Sequence, residues 1–365
     1  MNMYKQREKL EKIARFWNHY IWRYKICQDK INFNEEVRAN YFSDILAYFQ
    51  DTLELIDKKL EKSSYQESVF YSIGLLQTIY VQQDLVKELL YIFKLNKDNV
   101  SNEDNRNINR RIRNELIGHP IRRAKDKKEE LVSSVIFGKE LANNSIHYVL
   151  YAKSNNFKGQ EIFHNVSDIV ERHQEFLLKN LEKIEIKIDI ILKYFLKRIQ
   201  KIYFFIENSI PFNGLIRLVN QQFEYIFREN YLFNNDCLIE IYNKRHSHNR
   251  YEFVLNLFVD ELKKMIKYTT DDIRDITGDN IANFEIKFSI NLIESNFDFD
   301  YELGKLQDRH PVFNPQYFKK LFPDDMEICA ELENMEVNIH SNLEYYCSYE
   351  YLIYLIRSKT KYQTQ

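Results

Sequence analysis

Glycine, proline and cysteine are the residues this 365-residue chain has little of: seven, five and four respectively. Tight turns between strands draw on glycine and proline, whereas long helices exclude both. Their scarcity therefore predicts a mostly helical fold. The four cysteines, Cys27, Cys237, Cys329 and Cys347, are far apart and include no C-x-x-C pair. That spacing argues against a disulfide framework or a zinc ribbon and suits a reducing compartment. No apolar run approaches the ~18 residues of a membrane span. The N-terminus is charged from its first residues and lacks the apolar core of a signal peptide. The expectation is a soluble cytoplasmic protein without membrane contact.

What is abundant is aromatic: 26 Tyr and 26 Phe beside only two Trp. Large rings of this kind fill cores, although genomic base composition also favours such usage. At this length two domains are as reasonable as one.

Along the chain, helical periodicity is predicted over residues 3–28, 36–61 and 64–95. The third helix opens on a capping box, Ser64-x-x-Glu67. Residues 96–107 are polar and Asn-rich and read as a loop, with a further helix over about 108–118. Ser133–Phe137 and Ile146–Ala152 flank a Gly138/Asn143-Asn144 break and predict a small hairpin. From residue 167 to 207 one long pattern runs through Leu177, Leu181, Ile184, Ile188, Ile191 and Phe195 in 4-3-4-3-4 steps. It continues through Ile199, Ile202 and Ile206 after an extra four-step. At 1.5 Å per residue such a helix is roughly 60 Å long. It is expected to bridge two domains or lie along a partner subunit, the alternative being two helices with a break near residue 180. Asn208-Ser-Ile-Pro211 then punctuates the chain, which divides it into residues 1–207 and 208–365. Helices are predicted at about 212–228, 235–268 and 325–359, with a strand at 283–294. The fold class is all-α in the main, with a minor β-hairpin.

The most basic stretch is 104–128, where nine Lys/Arg face three Asp/Glu, in a chain whose formal net charge is −2. Inside it lies Arg113-Asn114-Glu115-Leu116-Ile117-Gly118-His119-Pro120. Arginine's planar fork matches a phosphate and stays charged at any working pH. Histidine exchanges protons near neutrality. Gly118 and the residue preceding Pro120 both disfavour continuation of the helix, so a break there lets His119 turn back toward Arg113. Arg110, Arg111, Arg122 and Arg123, with Lys125, Lys127 and Lys128, offer charge to an RNA backbone. For the run after the motif a solvated loop is the equal alternative, since no aromatic is interleaved for base stacking.

These eight residues, an Arg-Asn followed five residues after the Arg by a His within Gly-His-Pro, resemble the motif of the HEPN family (higher eukaryote and prokaryote nucleotide-binding domains). The resemblance extends as a domain over about residues 1–205, and its diagnostic part is the motif alone. It implies a HEPN-like helical bundle that is dimeric, with two motifs forming one composite site, followed by a second, mainly helical domain. The implied activity is a metal-independent endoribonuclease that uses no cofactor. The RNA 2′-OH attacks the adjacent phosphate and leaves 2′,3′-cyclic phosphate and 5′-OH ends. By position, His119 is the acid/base, Arg113 neutralises the phosphorane, and Asn114 orients groups or holds a phosphate oxygen. Family members act as toxins or phage-defence effectors held in check by a partner protein. The alternative is a catalytically silent bundle that serves as a binding or scaffold protein. The residues themselves also allow a structural use: Arg113 pairing with Glu115 or another carboxylate, and His119 capping a helix end.

Other clusters are weaker. Gln82, Gln83 and Asp84 precede the motif on the third helix, as cleft or as helix surface. His246 and His248, with Asp236 or Cys237, have too few well-spaced ligands for zinc. Asp279, Glu285 and Lys287 distantly resemble a metal-nuclease constellation. Asp298, Asp300 and Glu302 offer oxygen ligands or a polar edge.

Overall fold

The computed structural model describes residues 3–57, 64–96, 103–124, 129–138, 144–208, 210–227, 233–278, 286–290, 300–309 and 315–360. The chain is mostly helical, with one four-stranded antiparallel sheet. It divides into two compact units, Met1–Phe195 and Leu196–Gln365. The division falls inside the long helix, twelve residues before the 207/208 boundary that Pro211 suggests in the sequence.

The first unit opens with α1 (Tyr4–Phe16), which runs into a π-helical turn at Trp17–Ile21. Two short helices follow, α2 (Lys25–Gln28) and α3 (Glu35–Arg38), so the single helix expected over 3–28 is interrupted. The turn places Trp17 flat on Phe42 of α4 (Tyr41–Asp57), with ring centroids 3.8 Å apart. Stacking of two large buried rings favours this local widening over a regular α-turn.

Helix α5 (Tyr65–Ile92) starts at the capping box: Ser64 Oγ accepts from Glu67 N–H, and Glu67 Oε2 accepts from Ser64 N–H at 2.7 Å. Helix α6 spans Asp104–Arg113, so the Asn-rich stretch is already helical at its end rather than loop. Beyond the motif the hairpin is part of a larger meander. Strands β1 (Ile121–Arg123), β2 (Leu131–Phe137), β3 (Ser145–Ala152) and β4 (Gln160–Asn165) pair in sequential antiparallel order. Gly138 is required by close approach, since a Cβ there would lie 2.1 Å from Nδ1 of His147.

The long helix α7 is continuous over Val166–Glu207, with no break near residue 180. Leu177, Leu181, Ile184, Ile188, Ile191 and Phe195 are all buried, as the 4-3-4-3-4 spacing requires. Asn180 stays in the helix by donating to Phe176 O, with Glu103 of the preceding segment as a second acceptor.

Among these apolar residues lies one polar chain. The Gln82 amide donates to Thr52 Oγ1 at 2.9 Å, and its Oε1 lies 2.7 Å from His173 Nε2. An amide oxygen only accepts, so Nε2 carries a proton, and complete burial keeps the ring neutral. Complete burial pushes the His173 pKa down to about 3, well below its unfolded value of about 6.5. Below pH ~6.5 the unfolded chain therefore takes up a proton that the native core refuses. Stability from this group is present above that pH and is lost as pH falls, by about 2 kcal/mol between pH 8 and pH 5. Urea unfolding of wild type and His173→Gln across this range is expected to give a steeper loss in the wild type. Parallel pH profiles would exclude His173 as the source.

The second unit contains α8 (Phe212–Ile226), α9 (Asn235–Lys244), α10 (Asn249–Thr277), α11 (Asp300–Gln307), α12 (Pro315–Leu321), α13 (Met326–Val337) and α14 (Asn342–Thr360). Two expected long helices are each divided. The pattern at 235–268 breaks at Arg245–His248, and that at 325–359 breaks at Asn338–Ser341. The first break exists because His248 caps α10: its Nδ1 accepts from Arg250 N–H. The second leaves Ser341 to accept from Glu344 N–H at the head of α14. Of the expected strand at 283–294, residues 286–290 form no strand and the others lie outside the described residues. The 286–290 segment is held by α10 instead. Asp260 accepts from the N–H groups of Ser289 and Ile290, and Lys263 donates to Lys287 O.

Candidate functional site

Arg113 is the last residue of α6, yet the chain does not stop turning there. Asn114–Gly118 form a π-helical turn closed by His119 N–H to Asn114 O at 2.8 Å. Gly118 is not in the left-handed conformation of a glycine cap. A Cβ there would sit 2.7 Å from Nη1 of Arg113, so a larger residue would displace the end of the fork. The arginine fork is thus laid against the residue next to His119, and the wide turn brings the His119 N–H onto Asn114 O. His119 itself leaves the helix at φ −142°, ψ 62°, ahead of Pro120. The turn brings the Arg113 and Asn114 side chains together and sets His119 directly after it.

The fork is held from α5. Gln77 Oε1 accepts from Nε at 3.2 Å and from Nη2 at 3.0 Å, and Asn114 Oδ1 accepts from Nη1 at 3.0 Å. The guanidinium carbon lies 4.1 Å from the Tyr80 ring centroid. Of five N–H groups, two are unused among the described residues, one on each terminal nitrogen. His119 is exposed, and its imidazole has no hydrogen-bond partner among the described residues. A positioned cation with spare donors can bind a phosphate, and an unengaged imidazole can move a proton.

Arg113 does not pair with Glu115. That carboxylate accepts from Tyr148 of β3 at 3.0 Å, and Tyr148 Oη in turn lies 3.3 Å from His164 Nε2 of β4. The sheet is thereby tied to the motif turn. Burial, then the Glu115 charge, push the Tyr148 phenol pKa up. Burial, then Arg172, lower that of His164, which keeps its ring neutral.

The surrounding arginines differ in use. Arg110 is committed to Asp84, at 2.5 Å, and to the Tyr80 ring, at 4.0 Å. Arg106 is buried, and burial, with Arg110 nearby, lowers its pKa. Arg111, Arg122 and Arg123 are exposed, and Arg123 donates to Glu129 O. Lys125, Lys127 and Lys128 lie outside the described residues. Of the candidate cleft residues on α5, Gln82 and Gln83 are fully buried and line no cleft, while Asp84 holds Arg110. Sequence reading missed Gln77, Tyr80 and Tyr148. The spacing of Gln77, Tyr80 and Asp84 on one helical face was the available signal.

No protein family, curated protein or solved structure matches this chain. The reading of the site therefore rests on its own chemistry.

The remaining clusters are used structurally where they are described. His248 caps α10, and no group of three or more His, Cys, Asp or Glu gathers at a metal-binding spacing among the described residues. Asp279, Glu285 and Asp298 lie outside them. Glu302 pairs with Lys305. No helix among the described residues is long and apolar enough to cross a membrane.

Proposed function

We propose that the chain is a metal-independent endoribonuclease of the HEPN type, acting on RNA as a toxin or defence effector. The single observation that carries the reading is the Arg113 fork, laid with two N–H groups to spare against Gly118, the residue that precedes the exposed His119. In this reaction the RNA 2′-OH attacks the adjacent phosphorus and the bond to the 5′-oxygen breaks. His119 handles the proton that leaves the 2′-OH and the one the 5′-oxygen requires. Arg113 neutralises the phosphorane, where charge is greatest. Asn114 orients Arg113, and Arg111, Arg122 and Arg123 supply backbone charge. Two copies facing each other across their motifs would complete the site, and a partner protein would restrain it in the cell.

A second reading keeps one supporting observation. Gln77, Asn114 and Tyr80 hold Arg113 as firmly as they would a purely structural residue, which suits a silent bundle that binds or scaffolds. Incubation of the purified chain with total RNA in EDTA separates the two. Cleavage with cyclic phosphate ends is the expected result. Cleavage that EDTA abolishes, or products with 3′-OH ends, would rule out the Arg/His mechanism.

A further inference from the structure

The second unit holds a cavity of about 650 Å³ between α9, α10 and α14 that the motif chemistry does not use. Close-packed interiors leave few voids larger than a single water, whose share of liquid volume is about 30 Å³. A space of this size is instead in the range of small-molecule sites, which are mostly apolar. Its buried walls are Leu238, Ile241, Phe253 and Val254, each at most 9% exposed. Leu257 and Ile353, partly buried, continue the apolar lining.

The ionisable side chains of the lining, Glu261, Glu350 and Arg357, leave no charge unbalanced. Glu261 pairs with Lys264 at 2.6 Å, and its side chain is 57% exposed, which puts it at the mouth. Glu350 and Arg357 lie seven residues apart on α14, about two turns along one face. Burial, then the Glu261 charge, raise the pKa of Glu350, and the Arg357 charge opposes that rise. What the lining has left to select a ligand is its apolar surface.

We propose that this cavity binds an uncharged, largely apolar small organic molecule, its body on the buried walls and any polar end toward the mouth at Glu261. Covering apolar walls that otherwise face water is favourable and scales with the area covered. A ligand ion of either sign would shed its water and find no free counter-charge, because each charged group of the lining already has one. Cys237, a free thiol of intermediate exposure, also lines the cavity and can report its occupancy. The proposal stands independently of the ribonuclease reading.

Calorimetric titration of the full chain with 2-naphthalenemethanol, 2-naphthoate and 2-naphthylmethylammonium tests it, since the three share a body and differ in head-group charge. The alcohol is expected to bind about tenfold more tightly than either ion. Location is read on the wild-type chain: saturating alcohol should slow iodoacetamide alkylation of Cys237 by about tenfold, followed by peptide mass mapping. Cys329, of similar exposure but outside the lining, should react at an unchanged rate. Leu257→Trp fills the cavity and should remove binding of the alcohol, with circular dichroism showing that the variant remains folded. An ion that binds as tightly as the alcohol, no alcohol binding at millimolar concentration, or Cys237 alkylation that saturating alcohol leaves unslowed would each overturn the proposal. So would alcohol binding that survives in a folded Leu257→Trp.

Discussion

His119→Ala is expected to lower RNA cleavage by about 10²–10⁴-fold, the usual contribution of a positioned proton-transfer group. It is expected to do so without unfolding the chain. The imidazole is exposed and has no hydrogen-bond partner among the described residues, and substitutions at such positions shift stability by about 0.5 kcal/mol or less. Arg113→Lys should behave differently. An ammonium cannot reproduce the fork that Gln77 and Asn114 receive, nor the planar contact with Tyr80. Both activity and the melting midpoint of the first unit should therefore fall. The comparison is made by single-turnover cleavage and thermal unfolding on the same preparations. A His119→Ala protein that cuts RNA as fast as wild type would end the proposed mechanism. One that loses activity only because it has unfolded would leave no catalytic role for the side chain.

The largest expected loss of stability is in the second unit. Arg250 Nε lies 3.2 Å from Glu331 Oε2, and its Nη1 donates to Ser348 at 3.0 Å. Both side chains are nearly inaccessible, at 9% and 1% exposure. Burial already raises the Glu331 pKa, against the opposing pull of Ser348 and Arg250. Arg250→Met leaves that carboxylate buried with only the His248 imidazole, 3.7 Å away, beside it and is expected to cost about 3–5 kcal/mol. Removing both charges, in Arg250→Met with Glu331→Met, should recover much of the loss, because two apolar side chains of similar length fill the space without a stranded charge. Denaturant unfolding followed by a probe within the second unit measures this, since a chain of two units need not unfold in one step. If the double variant is no more stable than the single one, the cost is lost packing rather than a stranded carboxylate.

By itself the sequence determined the elements whose cause is local. Seven glycines and five prolines leave few places to stop a helix, and the structure is mostly helical. The 4-3-4-3-4 row on α7 is buried because a periodic apolar stripe must face the core whatever lies opposite. Ser64 and Glu67 form their box because both partners lie within one turn. The placement of Arg113 at a helix end with His119 just beyond was legible for the same reason.

Only the tertiary structure decided what comes from a distance. Gln77 and Tyr80 are 36 and 33 positions before Arg113, and nothing nearby marks them as its partners until α5 and α6 are packed together. Glu115, within the π-turn at Asn114–Gly118, accepts from Tyr148, 33 positions on, in a strand of a four-stranded sheet where the sequence predicts only a hairpin. Strands β1 and β4 are short and polar, and they become strands only because β2 and β3 offer unpaired edges. Gln82 looked like a surface residue of a cleft helix, and it is buried because His173, 91 positions away, satisfies it. Periodicity reports which face of an element is apolar. Which polar groups meet across the interior depends on packing, and that is fixed by the whole chain at once.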